Sequence, residues 1–521
     1  MLSLGQVPPV REPSMPPRQI WEGVVGSDLG LLSLLAIALV LLNTLTNGQY
    51  GFHRDELMSL DNARPLAWGY VEYPPVTAFL GRVELELFGR SLRGFRFFPA
   101  VAQGLLLLLT GLAARELGGK RRAMLVAAVA ASIAGPSLFD GAFLSYGTFD
   151  YICWVVVAYL VIRLLKSADP RWWIAIGAAI GVGMMTKYTM EFLVLGVVVG
   201  VVLTPARRYL KSPWLWCGVA VAVLVWLPNL RWQIQHHFVT LEYLKSIHAR
   251  DVRWGRTNGF LPEQFWSCTH PVTVPLWGAG LWYLFSTPAG RRYRMVGWMY
   301  VVPLLALLLA KGRSYYLAPA YPMLLAAGAV WGEQWVSSLS LQSALTVRSI
   351  TRSALAWGGL IAAAVTVPLA PINSAWWHVA DAINGNFNME VGYADMVETV
   401  AKVRDSLPVE ERARVGILAG DVGEAGAVNL YGPAYGLPRA ISGMNSYWQR
   451  GYGDPPPEAV IVVGLHRDIL DQIFQSCELV GHLTNRYGIV NSAIDGYDDV
   501  FLCRRLRQPW PDFWNHFQYY G

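Results

Sequence analysis

Residues 29–46 read LGLLSLLAIALVLLNTLT, a run with no charged side chain. An α-helix rises 1.5 Å per residue, so about 17–25 apolar residues cross the roughly 30 Å hydrocarbon core of a bilayer. Similar runs recur along the chain. Of its 521 residues 54% are hydrophobic and 15% charged, against about 25% charged in an average soluble domain. The 22 Trp and 24 Tyr suit the aromatic belts at membrane–water interfaces. The fold class is therefore mainly α, a polytopic membrane protein. The net charge of +6 does not point to nucleic acid, because the basic residues sit between the apolar runs rather than in one stripe.

Working outward, about eleven spans are expected, near 29–46, 97–116, 122–139, 150–165, 172–186, 189–204, 214–230, 271–287, 294–310, 315–332 and 354–372. Every second connection is basic: Arg115, Lys120, Arg121 and Arg122; Arg163, Lys166 and Arg171; Arg207, Arg208 and Lys211; Arg291, Arg292 and Arg294; Arg348 and Arg352. The positive-inside rule places these in the cytoplasm, with the N-terminus inside and everything after residue 372 outside. The Pro-rich segment 1–28 reads as a disordered cytoplasmic tail without a signal-peptide pattern. Residues 29–372 form the membrane domain, with long outer loops at 47–96 and 231–270. In the first of these, "AFLGRVELELFG" reads as an amphipathic helix on the membrane, with Phe79, Val83 and Leu87 on one face and Arg82, Glu84 and Glu86 between them. Residues 373–521 read as an extracytoplasmic α/β domain: "RARVGILAG" and "EAVIVVGL" are strand-like, "YADMVETVAKVRDSL" is helical, and "GEAGAVNLYGPAYGLP" is expected to be loop. Cys477 and Cys503 lie in that domain, where the compartment permits a disulfide.

The ionisable groups of the outer side carry the functional signal. "GFHRDELMSL" places His53, Arg54, Asp55 and Glu56 just beyond the first span. Acids there fit a solvated loop or a helix start, and equally a site, because charge at a membrane boundary is costly without a role. Lys187 beside Tyr188, and Lys311 and Arg313 beside Tyr315 and Tyr316, occupy short outer connections that the same rule should leave poor in cations. Snorkelling to the interface is one reading; a clamp for an anionic phosphate headgroup is the other. Asp150 either caps the fourth span or faces the same space. The adjacent His236 and His237 lack metal-pair spacing. No cofactor is assigned; a divalent cation is left open.

An outward carboxylate with a cationic phosphate clamp suits group transfer from a lipid phosphate. Asp55 would take a proton from the acceptor, Glu56 would orient it, and Lys187, Lys311 and Arg313 would stabilise the departing phosphate. The order of "HRDEL…LAWGYVEYPP", "LSYGTFD", "MMTKYTMEFL", "SPWLW…WLPNLRWQIQH" and "KGRSYYLAPAYP" resembles the bacterial branch of the protein O-mannosyltransferase and lipid A aminoarabinose-transferase superfamily, membrane glycosyltransferases of the GT-C fold. That resemblance implies a polyprenyl-phosphate sugar donor, an acceptor that is a glycolipid, a cell-envelope glycan or a protein, and inversion at the anomeric carbon. It also implies the catalytic base at Asp55, a second-loop acid at Asp150, basic and aromatic binding residues at Lys187, Lys311 and Tyr315, and the cytoplasmic membrane as location. Tyr73 stands where many relatives have His. A lipid transporter or flippase is the rival from another class; the chain shows neither an inverted repeat nor a matching pair of broken helices.

Overall fold

The computed structural model describes residues 27–521; the expected tail over 1–26 lies outside the described residues. Helices stand at all eleven expected span positions. Five of the described helices are long and apolar enough to cross a membrane: Asp28–Thr46, Gly94–Glu116, Tyr146–Ser167, Pro213–Gln235 and Gly290–Leu309. A sixth results if Met190–Leu203 and Pro205–Lys211, bent by 99°, act as one span. The other helices are shorter, as Trp172–Met184 and Val274–Ser286 are, or carry charge, as Leu341–Thr366 does with Arg348 and Arg352. Apolar side chains such as Leu224, Leu309, Trp216 and Ile361 remain exposed on these helices, as lipid-facing positions do.

Small residues bring the helices together, as is usual where hydrophobicity cannot drive association. Gly177 on Trp172–Met184 lies so close to the backbone of Gly218 on Pro213–Gln235 that neither position has room for a Cβ. Gly280 and Gly328 make the same close approach between Val274–Ser286 and Tyr321–Ser337. The membrane core is filled around Trp154, Tyr283, Met299 and Tyr321.

The C-terminal region forms a five-stranded mixed sheet of order β2-β1-β3-β5-β4, with β1 Val415–Ala419, β2 Ala440–Ile441, β3 Ala459–Val463, β4 Phe474–His482 and β5 Asp499–Leu506. The first three strands are parallel; β5 pairs antiparallel with β3 and β4. Cys477 and Cys503 stand opposite one another across β4 and β5 and are joined by a disulfide. The helix expected over "YADMVETVAKVRDSL" is Tyr393–Ser406.

Two expectations are corrected. The Gly-rich "GEAGAVNLYGPAYGLP" is not loop: Val422–Tyr431 is a helix started by an Asp421–Glu424 capping box. Its glycines serve close packing, for a Cβ on Gly423 would meet the Cβ of Arg54 at 2.8 Å and one on Gly426 the backbone of Leu57 at 2.6 Å. In Val76–Phe88, Phe79 and Leu87 are exposed, but Glu84 faces inward and accepts the Phe98 N–H at 2.6 Å. That carboxyl satisfies one of the free N–H groups at the start of the next helix, and burial pushes it up to about 9, so it sits there protonated at neutral pH.

Candidate active site

The opening motif forms the helix Arg54–Asn62. His53 is its N-cap: Nδ1 accepts the Asp55 N–H at 3.1 Å, while Glu56 accepts the His53 N–H at 2.9 Å, a reciprocal capping box. Burial keeps the His53 imidazole below its usual pKa, so it is neutral and acts as a cap rather than as a cation. Asp55 lies in the first turn, its carboxylate 43% exposed. Its charge reaches Tyr146, at the head of the fourth expected span, and Tyr243, on the second-loop helix Val239–Arg253.

Glu56 has no open face. It is 0% exposed and accepts from Arg96 Nε at 2.9 Å, Arg96 Nη2 at 2.6 Å and the Leu144 N–H at 2.9 Å. The expectation that Glu56 orients the reacting groups is therefore corrected: its oxygens are fully occupied in tying three segments together. Arg96 also donates to the Asn47 and Gly51 carbonyls and to Glu390 at 3.2 Å. Burial pushes Glu390 up to about 7 against the pull of Arg96.

Lys187 stands in a cage of rings. Its Nζ lies 4.5 Å from the centroid of Tyr316, 5.1 Å from Tyr146 and 5.6 Å from Tyr315, all within the roughly 6 Å of a cation–π contact. Among the described residues no carboxylate comes within ion-pair distance of it. Asp150 and Asp140 act on it electrostatically from farther off. Asp150 is buried and engaged, accepting Trp154 Nε1 at 3.1 Å and Thr189 Oγ1 at 2.6 Å. The Tyr188 hydroxyl donates to Asn229 Oδ1 at 2.8 Å, and Asn229 holds the Trp68 carbonyl at 2.8 Å, so Tyr188 supports the aromatic wall. Tyr73 belongs to that wall: it takes a hydrogen bond from Asn62 at 2.8 Å and its ring lies 5.4 Å from Tyr146.

Three expected ligand contacts are turned elsewhere. The Arg313 fork is closed by Asp251, at 2.6 and 2.8 Å, and donates its remaining nitrogen to the Tyr315 hydroxyl at 2.9 Å. It positions the cage instead of offering a free charge. Arg54 is paired with Asp421 of the C-terminal region at 2.7 Å. Lys311 is exposed in a left-handed turn, φ +50°, with no contact to the cage. Sequence reasoning missed Asp251, Tyr146, Tyr243 and Arg96. Tyr146 lies inside the quoted "LSYGTFD"; the others carry no local signal. Among the described residues one group could hold a metal, His482, Asp498 and Asp499, the first two exposed and the third half-buried, where the end of β4 meets the start of β5.

Residues 72–232 match the family model described as dolichyl-phosphate-mannose-protein mannosyltransferase. These residues form a GT-C family domain. The chain is 27% identical over 297 residues to lipid A galacturonosyltransferase RgtD of Rhizobium johnstonii, covering 55% of this chain and 61% of that one. It is 28% identical over 299 residues to undecaprenyl phosphate-alpha-4-amino-4-deoxy-L-arabinose arabinosyl transferase 1 of Pseudomonas fluorescens, covering 52% and 51%. The alignments thus span about half to three-fifths of these relatives. The crystal structure of ArnT from Cupriavidus metallidurans bound to undecaprenyl phosphate superimposes with a TM-score of 0.57 over 90% of this chain and 97% of that one, at 16% identity. The GT-C fold therefore extends well beyond the matched domain.

Proposed function

We propose that this chain is a membrane glycosyltransferase that moves a sugar from a polyprenyl-phosphate donor to an acceptor at the outer face of the cytoplasmic membrane. The observation that carries the reading is Lys187: an ammonium ringed by three tyrosines and lacking a carboxylate partner among the described residues is poised for an external anion. The relatives' substrates, a polyprenyl phosphate and lipid A by name, make a phospholipid sugar donor and a glycolipid acceptor the favoured pair; glycan and protein acceptors and the identity of the sugar are read from the acceptor assay. In the step, the acceptor O–H or N–H gives its proton to Asp55 as its heavy atom bonds to the anomeric carbon. The bond from that carbon to the phosphate oxygen breaks, and the polyprenyl phosphate leaves with the electron pair, facing Lys187. Attack opposite the leaving group inverts the centre. The reading uses Lys187 as the phosphate's cation and assigns no residue to a divalent ion; transfer measured with and without EDTA tests that dependence.

Lys187→Ala is expected to weaken binding of undecaprenyl phosphate to the purified protein by roughly tenfold or more, since hydrogen bonds to charged groups contribute about 1.5–3 kcal/mol. Lys311→Ala, at the exposed turn, is expected to weaken it less. Unchanged affinity in Lys187→Ala would show that this lysine merely snorkels.

The reading also carries a topology: eleven crossings, the N-terminus inside and the domain from residue 373 outside, over the lipid site. Alkaline phosphatase fused after Gly392 is then expected to be active in a bacterial host. A stable but inactive fusion would overturn the span count.

A further inference from the structure

Arg54 stands between two carboxylates. Its Nη2 donates to Asp421 Oδ2 at 2.7 Å, and its Nε lies 3.6 Å from Asp55 Oδ1, an ion pair that is just too long for a hydrogen bond. That Nε is buried and has no hydrogen-bond partner, although buried N–H groups are normally satisfied. The acceptor it lacks is one short movement away. The movement is blocked because Asp421 is itself immobile. Its Oδ1 accepts the Gly423 N–H at 2.7 Å, and Glu424 folds back onto the Gly420 and Asp421 N–H groups at 3.1 Å. The helix behind it is pressed onto Arg54–Asn62 through Gly423 and Gly426. At the far end of the same helix, buried Asp61 is gripped by Arg450 and by Asn429.

We propose that Asp421 is a positioning residue: by holding the Arg54 guanidinium it keeps the Arg54–Asp55 ion pair from closing to a hydrogen bond, and so leaves the Asp55 carboxylate able to accept a proton. The inference rests on the reading of Asp55 as the base. Were the pair to close, the added hydrogen bond would stabilise the carboxylate further and weaken it as a base. The C-terminal domain thereby sets the strength of a base that lies on the first outer loop, more than 360 residues earlier. The groups facing Asp55 are Arg54, His53, Tyr146 and Tyr243. Those facing Asp421 are Arg54, Glu424, Tyr393 and Tyr519. No second cation in either set could take over from Arg54.

The test is the pH dependence of sugar transfer by the purified full-length protein, to lipid A from undecaprenyl-phosphate-linked galacturonic acid and aminoarabinose. Asn caps helices about as well as Asp, so Asp421→Asn keeps the local fold while removing the charge that holds Arg54. In Asp421→Asn the acid limb of the transfer profile is expected to move to lower pH and the plateau rate to fall, as for a weaker base. The limb should move the other way in Arg54→Gln, return to the parent position in Asp421→Glu, and follow Arg54→Gln alone in the double variant. An unmoved limb in Asp421→Asn, or a shift that persists in the double variant, overturns the inference. Should Asp421→Asn fail to fold, Arg54→Gln carries the test, and an unmoved limb there is equally fatal. A fully active Asp55→Asn removes the base assignment, whereas an inactive Asp55→Asn beside an unmoved limb in Asp421→Asn removes only the role of Asp421.

Discussion

Asp55→Asn is expected to lower sugar transfer by on the order of a hundredfold or more, while undecaprenyl phosphate should bind as tightly as before. Asparagine keeps the size and shape of the side chain and the first turn of Arg54–Asn62, where Asp55 contributes its backbone N–H to the cap. What is lost is a proton acceptor, and general bases contribute about 10²–10⁴ to turnover. Donor affinity survives because the phosphate is assigned to Lys187 and its tyrosine cage. The decisive comparison is turnover against affinity in one preparation. Full activity eliminates Asp55 as base, and Asp150 becomes the next carboxylate to test, although both its oxygens are already engaged by Trp154 and Thr189.

Glu56→Gln is expected to destabilise the protein by about 3–5 kcal/mol, the usual effect of breaking one side of a buried ion pair. Sequence reasoning alone expects a mild effect from an orienting neighbour. The structure reverses that, because each oxygen of Glu56 faces at least two donors: Arg96 Nε and the Leu144 N–H on one, Arg96 Nη2 and the His53 N–H on the other, which Arg96 Nε also reaches at 3.2 Å. Either orientation of a glutamine turns its NH₂ onto donors and leaves the wholly buried Arg96 guanidinium only the longer contact to Glu390, at 3.2 Å, as its carboxylate. Denaturant unfolding in detergent measures the loss. A change below about 1 kcal/mol, the size of one ordinary hydrogen bond, would show that the triad relaxes around the amide.

The membrane class was legible because eighteen-residue apolar runs follow from bilayer thickness, and helices stand wherever such a run was read. The strands of "RARVGILAG" and "EAVIVVGL" were legible from β-branched runs ending in glycine. "GEAGAVNLYGP" misled because glycine signals a turn unless a partner helix needs the space, and that partner, Arg54–Asn62, is hundreds of residues away. In the candidate site, Asp55 and Lys187 stood out as charges in unexpected places. The fates of Arg54, Glu56 and Arg313 were hidden because Asp421, Arg96 and Asp251 are remote in sequence and a charge announces itself without naming its partner. Arg96 reads as one more basic residue before a span; only the fold shows it at the junction of Asn47, Gly51, Glu56 and Glu390.

The ties between the helix Arg54–Asn62 and the C-terminal sheet region also impose an order in time. Arg54 leaves the ribosome 367 residues before Asp421, and Asp61 leaves it 389 residues before Arg450. At about 5–20 residues per second, the interval is roughly 20–80 s. Throughout it, side chains that end up buried and paired must stay in water, since burying them alone would strand unpaired charge. The helix Arg54–Asn62 is therefore among the first segments made and among the last to settle. A nascent chain halted before residue 421 carries Asp55 without the frame that steadies its helix, which delays completion of the candidate site until synthesis has passed through the C-terminal region.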